Sequence, residues 1–269
     1  MYASGLFKVV DKHLTNIHTY VYDTQLYVSF KPTSQANAVN TIENCIADVR
    51  NWMASNRLFI NDSKTEFVII GSRKQLAKIS VDSVTVGDAI IKPVTSVRNL
   101  GVLFDQHMKM SDHIGKICDK AFYSLYNLRQ IRKCLTDEAC KTLVHALVTC
   151  HLDYCNALLH DVSQYQQQRL QGVLNAAARL ICRLPKYYHI SPMLKDLHWL
   201  PIKYRVIFKI TLLAPSYLEN LIRVKPEGRY HLRNKDQLLV PKTKCKMVGD
   251  RAFFKSGPVL WNNTQNIFI

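Results

Sequence analysis

The chain has 269 residues and carries 36 basic against 20 acidic side chains, a formal charge of +16 at pH 7. Its hydrophobic fraction of 48% is that of a globular protein with a core and excludes a disordered chain. Glycine and proline number nine each, too few for a collagen-like or linker-rich chain. No apolar run approaches the roughly 20 residues that span a bilayer, so we expect no membrane partner.

A helix is predicted at residues 4–15, and a longer one begins at Thr33 or Ser34, with apolar residues at three- and four-residue steps. Between them, residues 17–30 are rich in Tyr, Val and Thr, which predicts two strands around a tight turn at Asp23-Thr24. Further short strands are predicted at 65–70, 79–82, 89–92 and 99–104.

The pattern becomes helical from Ser111 onward. Ser111 and Asp112 open one helix, and Thr136 caps the next, whose first turn holds two acids that the helix dipole favours. Further helices are predicted at 164–183 and near 191–213, followed by a basic, irregular tail that contains β structure. The predicted fold class is therefore α+β followed by α.

The positive charge is concentrated in this helical part. Residues 1–110 hold 12 basic and 9 acidic side chains, whereas residues 111–269 hold 24 and 11. Phosphate contacts release counterions and favour basic surfaces, so the asymmetry indicates a nucleic-acid partner. A basic surface that serves only solubility is the alternative.

The opening segment MYASGLFKVVDKH lacks the basic and apolar regions of a signal peptide. We therefore expect an intracellular protein, in the cytoplasm or nucleus, that is neither secreted nor membrane-bound. Its eight cysteines form no C-x-x-C pair and are expected to be reduced and mostly buried. The His and Cys residues between 145 and 160 lack the converging spacing of zinc ligands, so no metal site is expected there.

Residues 18–27, HTYVYDTQLY, resemble the catalytic hairpin of reverse transcriptases from non-LTR (LINE, jockey-like) retrotransposons, which has the pattern HxYADDTQLY. Six later segments resemble further landmarks of that family in the same order: 51–66, 98–102 (RNLGV), 151–156 (HLDYCN), 197–202 (LHWLPI), 250–253 (DRAF) and 260–262 (LWN). Each match is short, but the ordered set extends over essentially the whole chain. The chain thus resembles the C-terminal part of such an RNA-directed DNA polymerase.

The resemblance implies an α+β fold in three parts. Residues 1–109 would form a partial palm, an antiparallel sheet with helices, that carries a degenerate catalytic hairpin. Residues 110–186 would form a helical, thumb-like region, and residues 187–269 a mixed basic extension. A truncated palm would leave an unpaired sheet edge, through which self-association is expected.

The resemblance also implies that polymerisation is lost. The reaction needs carboxylates that hold two metal ions, and Mg²⁺ is the cofactor of the intact family. Tyr22 stands where the family has the first Asp of Y-A-D-D, and a phenol is neutral at pH 7. Asp23 keeps the second position and is expected to be insufficient alone. The family's other metal-binding Asp and its fingers lie upstream of the hairpin, so we expect no bound metal, no cofactor and no activity.

Lys64 matches the family's basic residue near the incoming triphosphate, and an ordinary surface lysine is the alternative. In the family, the helix that opens at Ser111 begins the thumb and lies along the template–primer duplex. Its cations are therefore predicted to contact RNA or an RNA–DNA duplex, with a solvated helix face as the alternative: Lys116, Lys120, Arg129, Arg132 and Lys133. Base stacking on Tyr187, Tyr188 or Trp199 competes with a role in the core.

Three functional hypotheses follow. The chain is an inactive polymerase fragment that keeps RNA or DNA binding through its basic thumb and extension. Alternatively, it is one half of a split reverse transcriptase that is active only with a fingers-palm partner. The third hypothesis is an inert element remnant with no selected role.

Overall fold

The computed structural model describes residues 4–13, 16–21, 23–225, 237–243 and 246–265. The chain forms two compact units, a first unit of residues 1–108 and a second unit of residues 109–269. Within the described ranges, no helix is both long enough and apolar enough to cross a membrane. Helices and antiparallel strands occur together, which confirms the α+β class.

The first unit contains three helices and three antiparallel hairpins among its described residues. The helices are α1 (Ser4–Asp11), α2 (Gln35–Ser55) and α3 (Arg73–Leu76). The hairpins pair β1 (Asn16–Tyr20) with β2 (Asp23–Tyr27), β3 (Val84–Val86) with β4 (Ala89–Ile91), and β5 (Ser96–Asn99) with β6 (Val102–Asp105). Each hairpin is a separate two-stranded sheet.

The core of the first unit centres on the packing of α1 against α2. Leu6 and Val10 of α1 form a buried cluster with Cys45 and Val49 of α2. Trp52 packs at its margin. The apolar spacing that predicted this long helix thus corresponds to its buried face.

The first hairpin turns earlier than predicted. Tyr20 pairs with Asp23, so the prediction of a turn at Asp23-Thr24 is wrong. Val21 adopts φ +56°, a left-handed conformation that strains a β-branched residue. Asp23 and Thr24 pair with Tyr20 and Thr19, so the strand ladder extends through both residues of the predicted turn.

The strand predictions for the rest of the first unit are correct in part. The strand predicted at 89–92 is observed as β4. The segment 99–104 instead contains the turn between β5 and β6, where Leu100 and Gly101 both have positive φ. No strand forms at 65–70 or 79–82, where Phe67 makes an isolated bridge to Pro93.

The second unit is helical in most of its described residues. Its helices are α4 (Ser111–Ile131), α5 (Asp137–Val144), α6 (Cys150–Asp153), α7 (Gln164–Ile181), α8 (Ser191–Asp196), α9 (Ile202–Leu212), α10 (Lys246–Gly249) and α11 (Phe253–Gln265). Thr136 caps α5 as predicted, because its Oγ1 accepts a hydrogen bond from the Ala139 backbone nitrogen at 3.2 Å. A π-helical turn, His145–Thr149, joins α5 to α6.

The core of the second unit is formed by α4, α7 and the helices that pack on them. Ile114 and Ala121 of α4 and Val173, Leu174 and Ala177 of α7 are completely buried. Burial of this kind contributes roughly 1.5–3 kcal/mol for each large aliphatic side chain. The apolar spacing predicts an inward face for each helix, and these faces are buried except at Ile131, the last residue of α4, which is 47% exposed.

The predicted β-containing tail is mostly helical where the structure describes it. Its β structure is a single bridge between Val224 and Leu238 among those residues. The Asn262 side chain makes two hydrogen bonds to the backbone of Leu238. Its Oδ1 accepts from the Leu238 backbone nitrogen and its Nδ2 donates to the Leu238 backbone oxygen, each at 2.9 Å. The parts of the tail at 226–236 and 266–269 lie outside the described residues.

Candidate nucleic-acid interface

Four of the five predicted phosphate-contacting cations are exposed on the surface of the second unit. Lys116, Lys120 and Arg129 are exposed positions of α4, and Lys133 follows in the 3-10 turn after it. No described residue forms a hydrogen bond or an ion pair with these four side chains. Their charges are therefore available to an external anion.

The fifth cation, Arg132, is buried, and its predicted contact with phosphate is corrected. Its guanidinium donates to the backbone oxygens of Leu180 at 2.9 Å, Ile181 at 2.8 Å and Leu135 at 2.9 Å. A fourth contact joins Nη2 to the Asp137 carboxylate at 2.5 Å. Because these acceptors surround a side chain only 9% exposed, Arg132 is a structural residue that ties the end of α4 to the end of α7.

The exposed cations of α4 do not form one patch. Lys120 and Arg129 are separated by nine positions, about two and a half helical turns, so they lie on opposite sides of the helix. Asp112 and Asp119 also lie near Lys116 and Lys120 and offset their charge. The excess positive charge is therefore at the C-terminal end of α4.

A second basic segment meets α4 at that end. Arg183 donates from Nη2 to the Leu135 oxygen and to the Asp137 carboxylate, both at 3.4 Å. Lys186 follows three residues later and is exposed. We call Arg129, Lys133, Arg183 and Lys186 the basic end of the second unit.

Asp137 is the acid paired within the basic end. The Arg132 guanidinium, through its hydrogen bond, lowers the pKa of this carboxyl, and Arg183 lowers it further. Asp137 stays ionised, and both of its partners are cations. The remaining cations of the basic end lack an acidic partner among the described residues, which favours an anionic ligand.

The loop after α7 brings aromatic side chains to the basic end. Arg183 adopts φ +54°, and the chain reverses direction. As a result, the Arg179 guanidinium donates a hydrogen bond to the backbone oxygen of Tyr188 at 3.2 Å. Tyr187 is 89% exposed, with the Lys186 ammonium 5.5 Å from its ring centroid. Tyr187 and Tyr188, proposed from the sequence as stacking residues, are thus exposed, and Tyr187 lies beside a cation.

Trp199 belongs to the core rather than to this surface. It is buried, and His145 contacts its ring edge-on, with centroids 5.4 Å apart. The Arg205 guanidinium lies 5.9 Å from the same ring. Burial lowers the pKa of His145, and the neighbouring Arg205 and Lys141 lower it further. Base stacking on Trp199 is excluded by its burial.

The predicted catalytic residues of the first unit lie on its surface. Asp23 is exposed at the start of β2, and Lys64 is exposed in the 3-10 turn Asp62–Lys64. Tyr22, the residue in the place of the family's metal-binding Asp, lies outside the described residues. No group of three or more His, Cys, Asp or Glu side chains that could hold a metal ion occurs in the described part of the chain.

The sequence did not identify two groups of candidate residues, one basic and one aromatic. Arg183 and Lys186 lie beyond the predicted thumb helix, and only the fold brings them to it. Exposed aromatic residues were also missed, although their positions outside the apolar stripe of α4 could have identified them: Phe122, Tyr123 and Tyr126.

Segments that resemble the polymerase family contact one another within the first unit. Gln25, in the hairpin segment, donates from Nε2 to Asn99 Oδ1 at 2.9 Å. The backbone nitrogen of Arg98 donates to Glu66 Oε2 at 3.2 Å. Three of the family-like segments are therefore adjacent in the fold.

In the second unit, residues of the family-like segments contact residues that lie just outside such segments. Arg205, three residues after the LHWLPI segment, donates to Asp153 of the HLDYCN segment at 2.6 Å. Arg251 of the DRAF segment donates to the backbone oxygens of His160 at 2.9 Å and Leu158 at 2.6 Å. These motif residues therefore stabilise the fold.

No family model, no curated protein and no solved structure matches this chain. Its class is defined by its own geometry: an α+β protein whose helical second unit presents exposed, unpaired cations and aromatic rings at one end.

Proposed function

We propose that this protein binds nucleic acid through the basic end and derives from the C-terminal part of a non-LTR retrotransposon reverse transcriptase. The observation that carries the binding proposal is the convergence of two basic segments. They are about 50 positions apart in sequence, and the hydrogen bonds of Arg132 and Arg183 bring them to one end of the unit. Phosphate groups would neutralise the cations that have no acidic partner.

The ancestry rests on the ordered segments and gains support from their contacts. Residues of the family-like segments, namely Gln25 with Asn99 and Glu66 with Arg98, meet in space although they are distant in sequence. Landmarks that stabilise a fold are the part of an enzyme that would persist after catalysis is lost. The palm and thumb assignments belong to this same proposal.

Polymerisation by this chain alone is not part of the proposed function. The hairpin would supply one carboxylate, Asp23, because Tyr22 stands in the place of the other. One carboxylate does not hold the two cations that the reaction uses. Nucleic-acid binding needs none of these groups.

The test is binding to a fluorescently labelled RNA–DNA duplex measured by anisotropy over a range of salt concentrations. We expect the logarithm of the binding constant to fall linearly with the logarithm of salt concentration. The double variant Lys133→Gln/Lys186→Gln should bind more weakly, with a slope shallower by about 2 if each lysine contacts one phosphate.

The matched control removes the same charge elsewhere. Lys203 and Lys242 are exposed lysines of the second unit that lie outside the basic end. Lys203→Gln/Lys242→Gln should keep most of the affinity and the original slope. Equal losses in both double variants would contradict the basic end as the site, and a flat salt response would contradict nucleic-acid binding altogether.

A further inference from the structure

The outer face of α4 carries three aromatic side chains that the core does not use. Phe122, Tyr123 and Tyr126 are 47%, 69% and 63% exposed. Large aromatic residues usually bury most of their surface, and three within five positions form a compact apolar surface. Their exposure favours the binding of a ligand with flat apolar faces.

These rings and nearby cations lie in two rows along the helix. The first row is Phe122, Tyr126 and Arg129, at steps of four and three residues, and Lys133 follows it in the next turn. Positions three and four apart share one helix face, so these side chains are neighbours. The row covers about 10 Å between Phe122 and Arg129 and leads into the basic end.

The second row lies beside the first. It contains Lys116, Lys120 and Tyr123, again at steps of four and three residues. Asp119 lies three positions before Phe122 and four before Tyr123, between the two rows, and limits the aromatic surface at its N-terminal end. The aromatic rings are thus bordered by lysines on one side and followed by the basic end on the other.

Resting on the proposed function, we propose that this face of α4 binds a single-stranded nucleic acid whose bases stack on Phe122 and Tyr126. A strand is an anionic backbone with exposed π faces, which matches two neighbouring rings followed by cations. Duplex bases are stacked on each other and offer their edges and phosphates instead. A protein partner would match the rings, but Arg129 and Lys133, which have no acidic partner among the described residues, favour a polyanion. Lys133 and Arg129 would contact the phosphates that follow the stacked bases.

The test compares a single-stranded 12-mer, its RNA–DNA duplex and an abasic 12-mer of the same charge, all by anisotropy. The unmodified protein should bind the abasic strand at least about tenfold more weakly than the normal strand, because stacking is lost. Phe122→Leu/Tyr126→Leu should weaken binding of the normal strand by at least about tenfold and binding of the duplex by less than about twofold. Tyr126→Phe, which keeps the ring, should retain single-strand binding.

The matched control is Tyr165→Leu. Tyr165 is 67% exposed and has the Arg169 guanidinium 6.0 Å from its ring centroid, but it lies at the N-terminal end of α7, away from the basic end. This variant should bind the single strand like the unmodified protein. A loss equal to that of the double leucine variant would overturn the assignment of the stacking face.

The remaining outcomes separate the two proposals. Equal binding of the normal and abasic strands by the unmodified protein overturns the stacking face but leaves the proposed function in place. If poly-glutamate competes as effectively as the 12-mer, the stacking face is overturned as well. Failure of the unmodified protein to bind any of the three oligomers overturns the proposed function and the stacking face together.

Discussion

The two units of the chain differ in how their structure is stabilised. The first unit combines one packed helix pair with three separate hairpins, and its buried apolar side chains are few. The second unit has long helices around a continuous core, with completely buried residues along α7. The packing of long helices, above all α4 against α7, therefore forms the larger core, which places the strongest stability effects in the second unit.

The arginines of the second unit show a second contrast. Arg132, Arg205 and Arg251 donate to backbone oxygens or carboxylates and stabilise the fold. Arg129 and the lysine Lys133 have no such partners among the described residues. The net charge alone thus overestimates the number of cations that are available to a polyanion.

The largest expected effect is a core truncation in the second unit. Leu174→Ala removes a completely buried side chain from α7 and should lower the free energy of unfolding by about 2–5 kcal/mol. Urea denaturation followed by circular dichroism measures it. Leu212→Ala, at a site 64% exposed, should change it by less than about 0.5 kcal/mol. Similar values for the two variants would refute the helical core.

The neighbours Arg132 and Lys133 sharpen the contrast between structural and available cations. Arg132→Met leaves the Leu180, Ile181 and Leu135 oxygens without their donor and should destabilise the protein by about 2–4 kcal/mol. Lys133→Met should leave stability within about 0.5 kcal/mol and weaken nucleic-acid binding. Urea melts and anisotropy on both variants test this. A large loss of stability in Lys133→Met together with unchanged stability in Arg132→Met would contradict this assignment.

Acidification should destabilise the second unit by a smaller amount. Burial lowers the pKa of His113 and His160 below the ordinary value of 6.5. The unfolded chain therefore takes up protons near pH 6.5 that the folded chain resists, so the free energy of unfolding falls as the pH falls. We expect a loss of about 1 kcal/mol or more between pH 7.5 and 5.5.

This pH dependence is measured by urea denaturation at each pH. A shallower dependence is expected in His113→Gln and in His160→Asn, since each variant removes one titrating group from the buried set. A free energy of unfolding that stays constant over this range would contradict the burial of these histidines.

The smallest expected effect is in primer extension, where we predict none. The 269-residue chain alone should not extend a primer in Mg²⁺ or Mn²⁺, because under the proposed ancestry Tyr22 stands in the place of one metal-binding carboxylate and Asp23 alone does not hold two cations. Mixing with a fingers-palm fragment tests the split-polymerase alternative. Extension by the mixture, and not by either part, would favour that alternative over the proposed function.

The sequence predicted α4, α5 and α7 of the second unit well, whereas the helix predicted near 191–213 is two helices, α8 and α9. Their apolar residues recur at three- and four-residue steps, and local caps such as Thr136 mark where they begin. The hairpins were harder, because a two-residue shift of the turn at Val21 changes the pairing and short strands carry little periodicity. The strand predicted at 99–104 was wrong because Leu100 and Gly101 form a turn.

The residues of the candidate site could be predicted only in part, because some of them meet through contacts between distant segments. Helical spacing correctly placed Arg129 and Lys133 outside the core. It did not show that Arg132 is buried, because its acceptors are the backbone oxygens of Leu180 and Ile181, about 50 positions away. Arg183 joins the site through a similarly distant contact. Such contacts depend on the packing of α4 on α7, which no local pattern specifies.

The most direct test of the central claim is a thermal melt of the purified protein with and without a single-stranded 12-mer at low salt. A ligand that prefers the folded state raises the midpoint, so we predict one cooperative transition that the oligomer shifts upward. The shift should shrink in Lys133→Gln/Lys186→Gln and persist in Lys203→Gln/Lys242→Gln. An unchanged midpoint at saturating oligomer, or no cooperative transition in either sample, would contradict a folded nucleic-acid-binding protein.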